Sequence, residues 1–194
     1  GGTVTLSTTA GSLSTVTDNG DGIYTATLTS STTTGTATVE GTLDGVGDFV
    51  DVAVVAFTPG AASTATSTIT ASPTSITADA SSTSTITVQL KDANGNDLTN
   101  SGGTVALSTN AGSLSGVTDN NDGTYLATLT SSTTAGTTAT VTGTLEGVGD
   151  FVDDATVEFI AGTASLSLST VTANPESITA DGSSTSTITV QLKD

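Results

Sequence analysis

The chain has 194 residues, 19 of them Asp or Glu and 2 Lys or Arg, for a formal net charge of -17. That excess of acid repels nucleic acid and anionic lipid, so neither is expected as a partner. Cys, His, Met and Trp are all absent, which removes disulfides, thiolate metal sites and the usual bases and nucleophiles of catalysis.

Read from the first residue, GGTVTLSTTAGSLSTVTDNGDGIYTATLTSS at 1–31 returns as GGTVALSTNAGSLSGVTDNNDGTYLATLTSS at 102–132. The offset is 101 residues up to Gly35 and Gly136 and 102 afterwards, through DGVGDFVD at 44–51 and EGVGDFVD at 146–153. It continues from STSTITVQLKD at 82–92 into the same eleven letters at 184–194. A period of this length exceeds a solenoid turn of about 20–50 residues and fits one small domain per repeat. PGAAS at 59–63 and AGTAS at 161–165 read as linkers. The expected organisation is a partial domain at 1–62, a complete one at 63–162 and a second partial one at 163–194.

The complete domain begins with STITASPTSI at 67–76, where Pro73 suits an edge strand. STITVQLKD at 84–92 follows, with Ile86, Val88 and Leu90 at period two, the mark of a half-buried strand. GTVALST at 103–109 turns Val105 and Leu107 inward, SLSGV at 113–117 is short, and TYLATLTS at 124–131 alternates Tyr125, Ala127 and Leu129. TATVTGTL at 138–145 offers Ala139, Val141 and Leu145; FVDDATVEF at 151–159 offers Phe151, Ala155, Val157 and Phe159. β-branched threonine fills the water-facing positions between them. Seven short strands with regular turn signals predict an all-β fold of tandem immunoglobulin-like seven-stranded sandwiches. The frame is circularly shifted: residues 1–62 carry strands C to G, and 163–194 carry strands A and B. The apolar runs are short and interrupted, so neither a membrane-inserted span nor a signal peptide is expected in this segment.

The loops after the second, fourth and sixth strands should emerge at one pole. They bring Asp92, Asp97, Asp119, Asp122, Glu146 and Asp150 toward the preceding linker, and Asp18, Asp21, Asp44 and Asp48 match four of them in the first segment. Carboxylates with Asn carbonyls suit calcium, the one cofactor these loops suggest, although none is required. The same residues are also what tight turns need, since Asn-Gly and Asp-Gly supply positive φ. No EF-hand is present: Asp97 stands where that loop needs glycine, and Gly103 where it needs glutamate. Strand parity sends Lys91 outward to solvent. Paired carboxylates would need an apolar cleft to act as glycosidase acids, and one Tyr and two Phe per repeat cannot line one. An enzyme is not expected.

The order STITVQLKDANGN, GGTVALSTNAGSLS, TDNNDGTYLATLTSS and GTTATVTGTL resembles the bacterial Ig-like repeats of the invasin and intimin family along essentially the whole chain. The DGVGDFVD segment is more acidic than that family leads one to expect. The resemblance implies an extracellular rod, a stalk at the bacterial cell surface that holds an adhesive tip. Any host or matrix receptor would then be met through domains outside this segment.

Residues 1–62 lack the first two strands, and each apolar side chain fully buried by such a strand is worth about 1.5–3 kcal/mol. Two sources fit: neighbouring residues of a covalent array, or Ile188, Val190 and Leu192 of another copy, giving head-to-tail self-association by strand complementation. Val52 and Val54, with Ala56, stand outward where the second repeat has Asp154, Thr156 and Glu158. That stripe is either a lateral interface or tolerated drift. The alternative to a structural repeat is a module whose threonine-rich faces or acidic loops bind a glycan or ice.

Overall fold

A computed structural model describes residues 1–194, and none of it is helical, so no helix is long and apolar enough to cross a membrane. The first segment contains β1 (Val4–Thr8), β2 (Ser12–Leu13), β3 (Thr17–Asp18), β4 (Tyr24–Thr25), β5 (Leu28–Thr29), β6 (Gly35–Leu43), β7 (Gly47–Asp48) and β8 (Ala53–Phe57). The central domain contains β9 (Thr68–Ser72), β10 (Ser75–Thr77), β11 (Thr83–Gln89), β12 (Val105–Thr109), β13 (Ser113–Leu114), β14 (Thr118–Asp119), β15 (Thr124–Thr130), β16 (Thr137–Leu145), β17 (Gly149–Asp150) and β18 (Ala155–Ile160). The last segment is the pair β19 (Thr170–Asn174) and β20 (Thr187–Gln191).

Two sheets face each other in the central domain, as the period-two pattern requires. One runs β13-β15-β11-β9 with β14 also on β15; the other runs β10-β18-β16-β12 with β17 on β16. In the first sheet Val88 lies between Ile69 and Tyr125, and Ile86 opposite Ala127. Ala139, Val141, Leu145, Val157 and Phe159 meet them from the second. Every buried hydrophobic residue of the chain except Ala37 belongs to this core.

Two of the expected strands are broken, each for a local reason. The run 67–76 divides at Pro73. β9 pairs antiparallel with β11, whereas β10 pairs parallel with β18, in the other sheet. Proline has no N–H to give a ladder, so the chain changes sheets there and places Ile69 and Ile76 in one core from both sides. The run 113–117 holds a bulge: Leu114 pairs with Leu129 and Thr118 with Leu126, so one strand carries one residue more than its partner. The Ser115 and Thr128 amides fasten it, the first donating to the Thr128 carbonyl and the second to the Ser115 hydroxyl, both at 2.9 Å. The first segment has the same irregularity between Leu13–Leu28 and Thr17–Thr25. FVDD at 151–154 is a loop rather than strand, although Phe151 is buried.

The first segment repeats the sheet β1-β6-β8 with β7, and the pairs β2-β5 and β3-β4. It has no counterpart of β9, β10 or β11. β19 and β20 reproduce the β9–β11 pairing with Val171 opposite Val190, and no other strand lies against them.

Candidate functional site: the joints between domains and the open sheet faces

The predicted loops do share one pole. Gln89 at the end of β11 pairs with Thr68 and Thr124, and Val105 pairs with Leu145, so the loops after β11, β14 and β16 all emerge where the preceding linker enters. Their carboxylates are nevertheless not gathered. No three acidic side chains are placed to hold a metal ion, and most are committed to donors in their own turn. Asp119 accepts from the Ser101 hydroxyl at 2.5 Å and the Asn121 amide at 2.8 Å. Asp122 accepts from the Thr124 hydroxyl at 2.5 Å and its amide at 2.9 Å, and these bonds hold its carboxyl below the usual range. Asp97 pairs with the ammonium of Lys91, which is therefore not a freely solvated charge. Glu146 and Asp150 are exposed on the turn around 145–150. The first segment matches this: Asp18 caps Gly20 at 2.8 Å, Asp21 caps Ile23 at 3.0 Å, and Asp48 accepts from the Thr42 hydroxyl at 2.8 Å, while Asp44 is exposed. A tight turn leaves backbone N–H groups without ladder partners, and a neighbouring aspartate supplies them.

Asp92 differs from the others. It is only 3% exposed. One carboxylate oxygen accepts from the Asn94 amide at 2.9 Å, the Asn96 amide at 3.0 Å and the Asn96 side-chain amide at 3.1 Å. The second accepts from that side-chain amide at 2.9 Å and, across the domain boundary, from the Gly60 amide at 2.9 Å. These bonds, the Asn96 side chain first and Gly60 next, lower its pKa to about 2. Asn96 also reaches the first segment, donating to the Thr32 carbonyl at 2.8 Å and accepting from the Thr34 amide at 3.1 Å. Ser63 donates to the Lys91 carbonyl at 2.8 Å, and the Thr66 hydroxyl to the Asp92 carbonyl at 2.7 Å.

The second linker is held in the same way. Gly162 donates to the Asp194 carboxylate at 2.6 Å, Ser165 donates to the Lys193 carbonyl at 2.6 Å, and the Ser169 hydroxyl caps Ser165 as the Ser67 hydroxyl caps Ser63, each at 2.7 Å. Sequence reasoning missed Gly60 and Asp153, and missed the reach of Asn96 across the boundary. Asp153 accepts from the Ile69 amide at 2.9 Å and so ties the first strand to the opposite sheet's loop. The available signal was that Gly60, Asp92 and Asp51 recur at Gly162, Asp194 and Asp153 with one offset.

The candidate interface residues are all solvent-facing. Val52 and Val54 lie on and beside β8, and Ile188, Val190 and Leu192 on and after β20. A cavity of about 640 Å³ lies beside the first segment, lined by Leu28, Val55, Phe57 and the Thr32–Thr34 loop, with Asp92 and Asn96 at its rim. In the central domain the equivalent space is filled. There β10 runs along β18, the Ala78 amide donates to the Ile160 carbonyl at 2.8 Å, and the Ser131 amide to the Ser82 carbonyl at 2.9 Å.

Comparison with known proteins gives a consistent result. The model of the family "Invasin, domain 3" matches residues 1–60 and 63–162. The crystal structure of invasin, described as a bacterial integrin-binding protein, superposes with a TM-score of 0.58 at 34% identity, over 95% of this chain and 37% of that one. The Escherichia coli adhesin FdeC gives 0.62 at 30% identity, over 98% of this chain and 61% of its own. InvD of Yersinia pseudotuberculosis gives 0.60 at 26% identity, over 100% and 60%. The chain thus spans 37% to 61% of the length of these structures.

Proposed function

The chain belongs to the invasin domain 3 family of bacterial Ig-like adhesin repeats, and from that premise we propose that it is a non-catalytic structural repeat of an extended stalk or filament at the bacterial cell surface. One observation carries the reading: the last segment repeats the β9–β11 pairing that the first segment lacks, and both leave their apolar faces open. Ile188, Val190 and Leu192 repeat Ile86, Val88 and Leu90 in an identical stretch of sequence, yet stand 60–62% exposed where their counterparts are fully buried. Each unit therefore calls for a neighbour in series. In an uninterrupted array the preceding residues supply the missing strands. For the 194-residue polypeptide alone, the last segment of another copy supplies them, adding strands to the open sheet and propagating head to tail. Receptor contact, of the integrin-binding kind described for invasin or another, falls to domains outside residues 1–194.

Light scattering coupled to size-exclusion chromatography tests the pairing. A concentration-dependent ladder in multiples of 18.7 kDa, abolished by Ile188→Ser with Val190→Ser, is expected. A monomer at every concentration would remove pairing between copies. Small-angle scattering on chains of two, three and four complete repeats tests the stalk: the longest dimension should grow by a constant increment, and a compact particle would overturn it.

A further inference from the structure

We propose that Asp92 and Asn96 form a latch that fixes each repeat on its predecessor, and that Asp194 is the same latch at the next joint. This rests on reading the chain as repeats in series and adds what sets the angle and stiffness between them. A turn-capping aspartate needs only the amides of its own loop, and one oxygen of Asp92 takes those of Asn94 and Asn96. The other oxygen accepts from the Asn96 side-chain amide of its own turn and also binds the Gly60 amide, in the linker ahead of the central domain. Asn96 does the same from the other side. Its amide group spans the Asp92 carboxylate and the Thr32–Thr34 backbone of the preceding segment, so one side chain both orients the carboxylate and grips the neighbour.

Burying an ionised carboxylate is costly unless donors replace its water. Here two backbone amides and one side-chain amide of the 92–96 loop do so, and the Gly60 amide completes the set. A domain standing alone would leave that second oxygen with the Asn96 side-chain amide as its one donor, so docking of the preceding linker adds the backbone amide that completes the solvation of this charge. The recurrence at Gly162 and Asp194 is independent support, because there the bond forms although the rest of the following domain is absent from residues 163–194. Both oxygens of Asp92 already face N–H donors. A joint of this kind holds without a metal ion, and chelator should leave it unchanged.

Amide hydrogen exchange on the full chain reads the latch bond by bond. Gly60 and Gly162 should both be protected in the parent. Asp92→Asn should speed exchange at Gly60 at least tenfold with Gly162 unchanged, Asp194→Asn should do the converse, and the Val88 amide of the core should not move in either. Asn96→Ala should release Gly60 as well. Unprotected glycine amides in the parent, no response to the variants, or both amides responding together would each overturn the proposal. If Asp92→Asn unfolds the central domain, seen as lost protection at Val88, Asp194→Asn decides alone, because Asp194 lies outside that core. Failure of the stalk reading shows in the scattering series instead, and would leave these exchange rates unaltered.

Discussion

The first segment and the central domain carry nearly the same letters from Gly1 to Phe57 and from Gly102 to Phe159, yet they differ in what those letters bury. Val55 is 42% exposed and its counterpart Val157 is not exposed at all; Phe49 is 46% exposed and Phe151 8%. Leu28 is partly exposed where Leu129 is sealed. The register is the same in both, with β1 on β6 matching β12 on β16. Alternation therefore decides which side chains face inward, and only the strands laid across that face decide whether it becomes a core. β9, β10 and β11 bring Ile69, Ile76, Ile86 and Val88, and the pattern within residues 1–60 contains no substitute for them.

The comparison breaks most completely if those strands are restored. Fusing a second copy of residues 63–101 ahead of Gly1 should close the first segment. One fully buried apolar side chain is worth about 1.5–3 kcal/mol, about ten- to a hundredfold in an opening equilibrium, and several are supplied at once. The Val39 amide should exchange about a hundredfold or more slower after the fusion, approaching Val141 of the central domain. Equal exchange before and after would mean that the segment is held by something other than its missing strands.

A smaller effect separates the two leucines. Leu129→Ala should cost about 2–5 kcal/mol, as a large-to-small change in a closed core does. Leu28→Ala in the open segment should cost less than about 1 kcal/mol, since its side chain already meets water. Denaturant titration read by tyrosine fluorescence, with Tyr24→Phe for the first variant and Tyr125→Phe for the second, measures each domain separately. Similar costs would show the first segment to be as closed as the central domain.

Much of this was legible in the letters, and what was not has definite causes. The repeat, the period-two strands and the inward set Ile86, Val88, Leu90, Tyr125, Leu129 and Val157 follow from spacing alone. The division at Pro73 was half visible, because proline signals an edge but does not tell which sheet receives the chain beyond it. The shared pole of the loops followed from topology. That its carboxylates cap turns rather than converge did not, because a loop's reach is set by backbone amides that no spacing rule counts. For Asp92 the partner across the boundary, Gly60, lies 32 residues earlier in the linker, beyond the reach of any local spacing rule. Only the recurrence of that pair at Gly162 and Asp194 could have suggested it.

Acid offers a subtler probe of the joint. Asp92 has a folded pKa of about 2 against an ordinary 3.8. A depressed folded value means that its contribution is fully present above about pH 4 and is lost as pH falls toward 2. Asn96→Ala removes the largest cause, so the Asp92 carboxyl should titrate closer to 3.8 and the joint should loosen at a higher pH. Carbon-detected NMR titration of the side-chain carboxyl reads this directly, and an unmoved value would show that Gly60 and the turn amides suffice.

The smallest difference lies between the two tyrosines. The Tyr24 hydroxyl donates to the Gly2 carbonyl at 2.7 Å, as Tyr125 donates to Gly103 at 2.6 Å. Beside Tyr125 stands Ser101, whose hydroxyl donates to Asp119 and lies 3.2 Å from the phenol oxygen. In the first segment Asp18 faces Tyr24 directly across the β3–β4 pair. Desolvation, and after it the charge of Asp18, raise the Tyr24 pKa above its ordinary 10.0. A raised value favours the protonated folded state, so this contribution fades as pH climbs beyond 10. In a Tyr125→Phe background, Asp18→Asn should bring the ultraviolet titration of Tyr24 down toward 10, because the anion that opposed phenolate formation is gone. A midpoint that stays put would assign the whole shift to desolvation and show the surroundings of Tyr24 to be more closed than the exposure of Val55 and Phe49 elsewhere in the segment indicates.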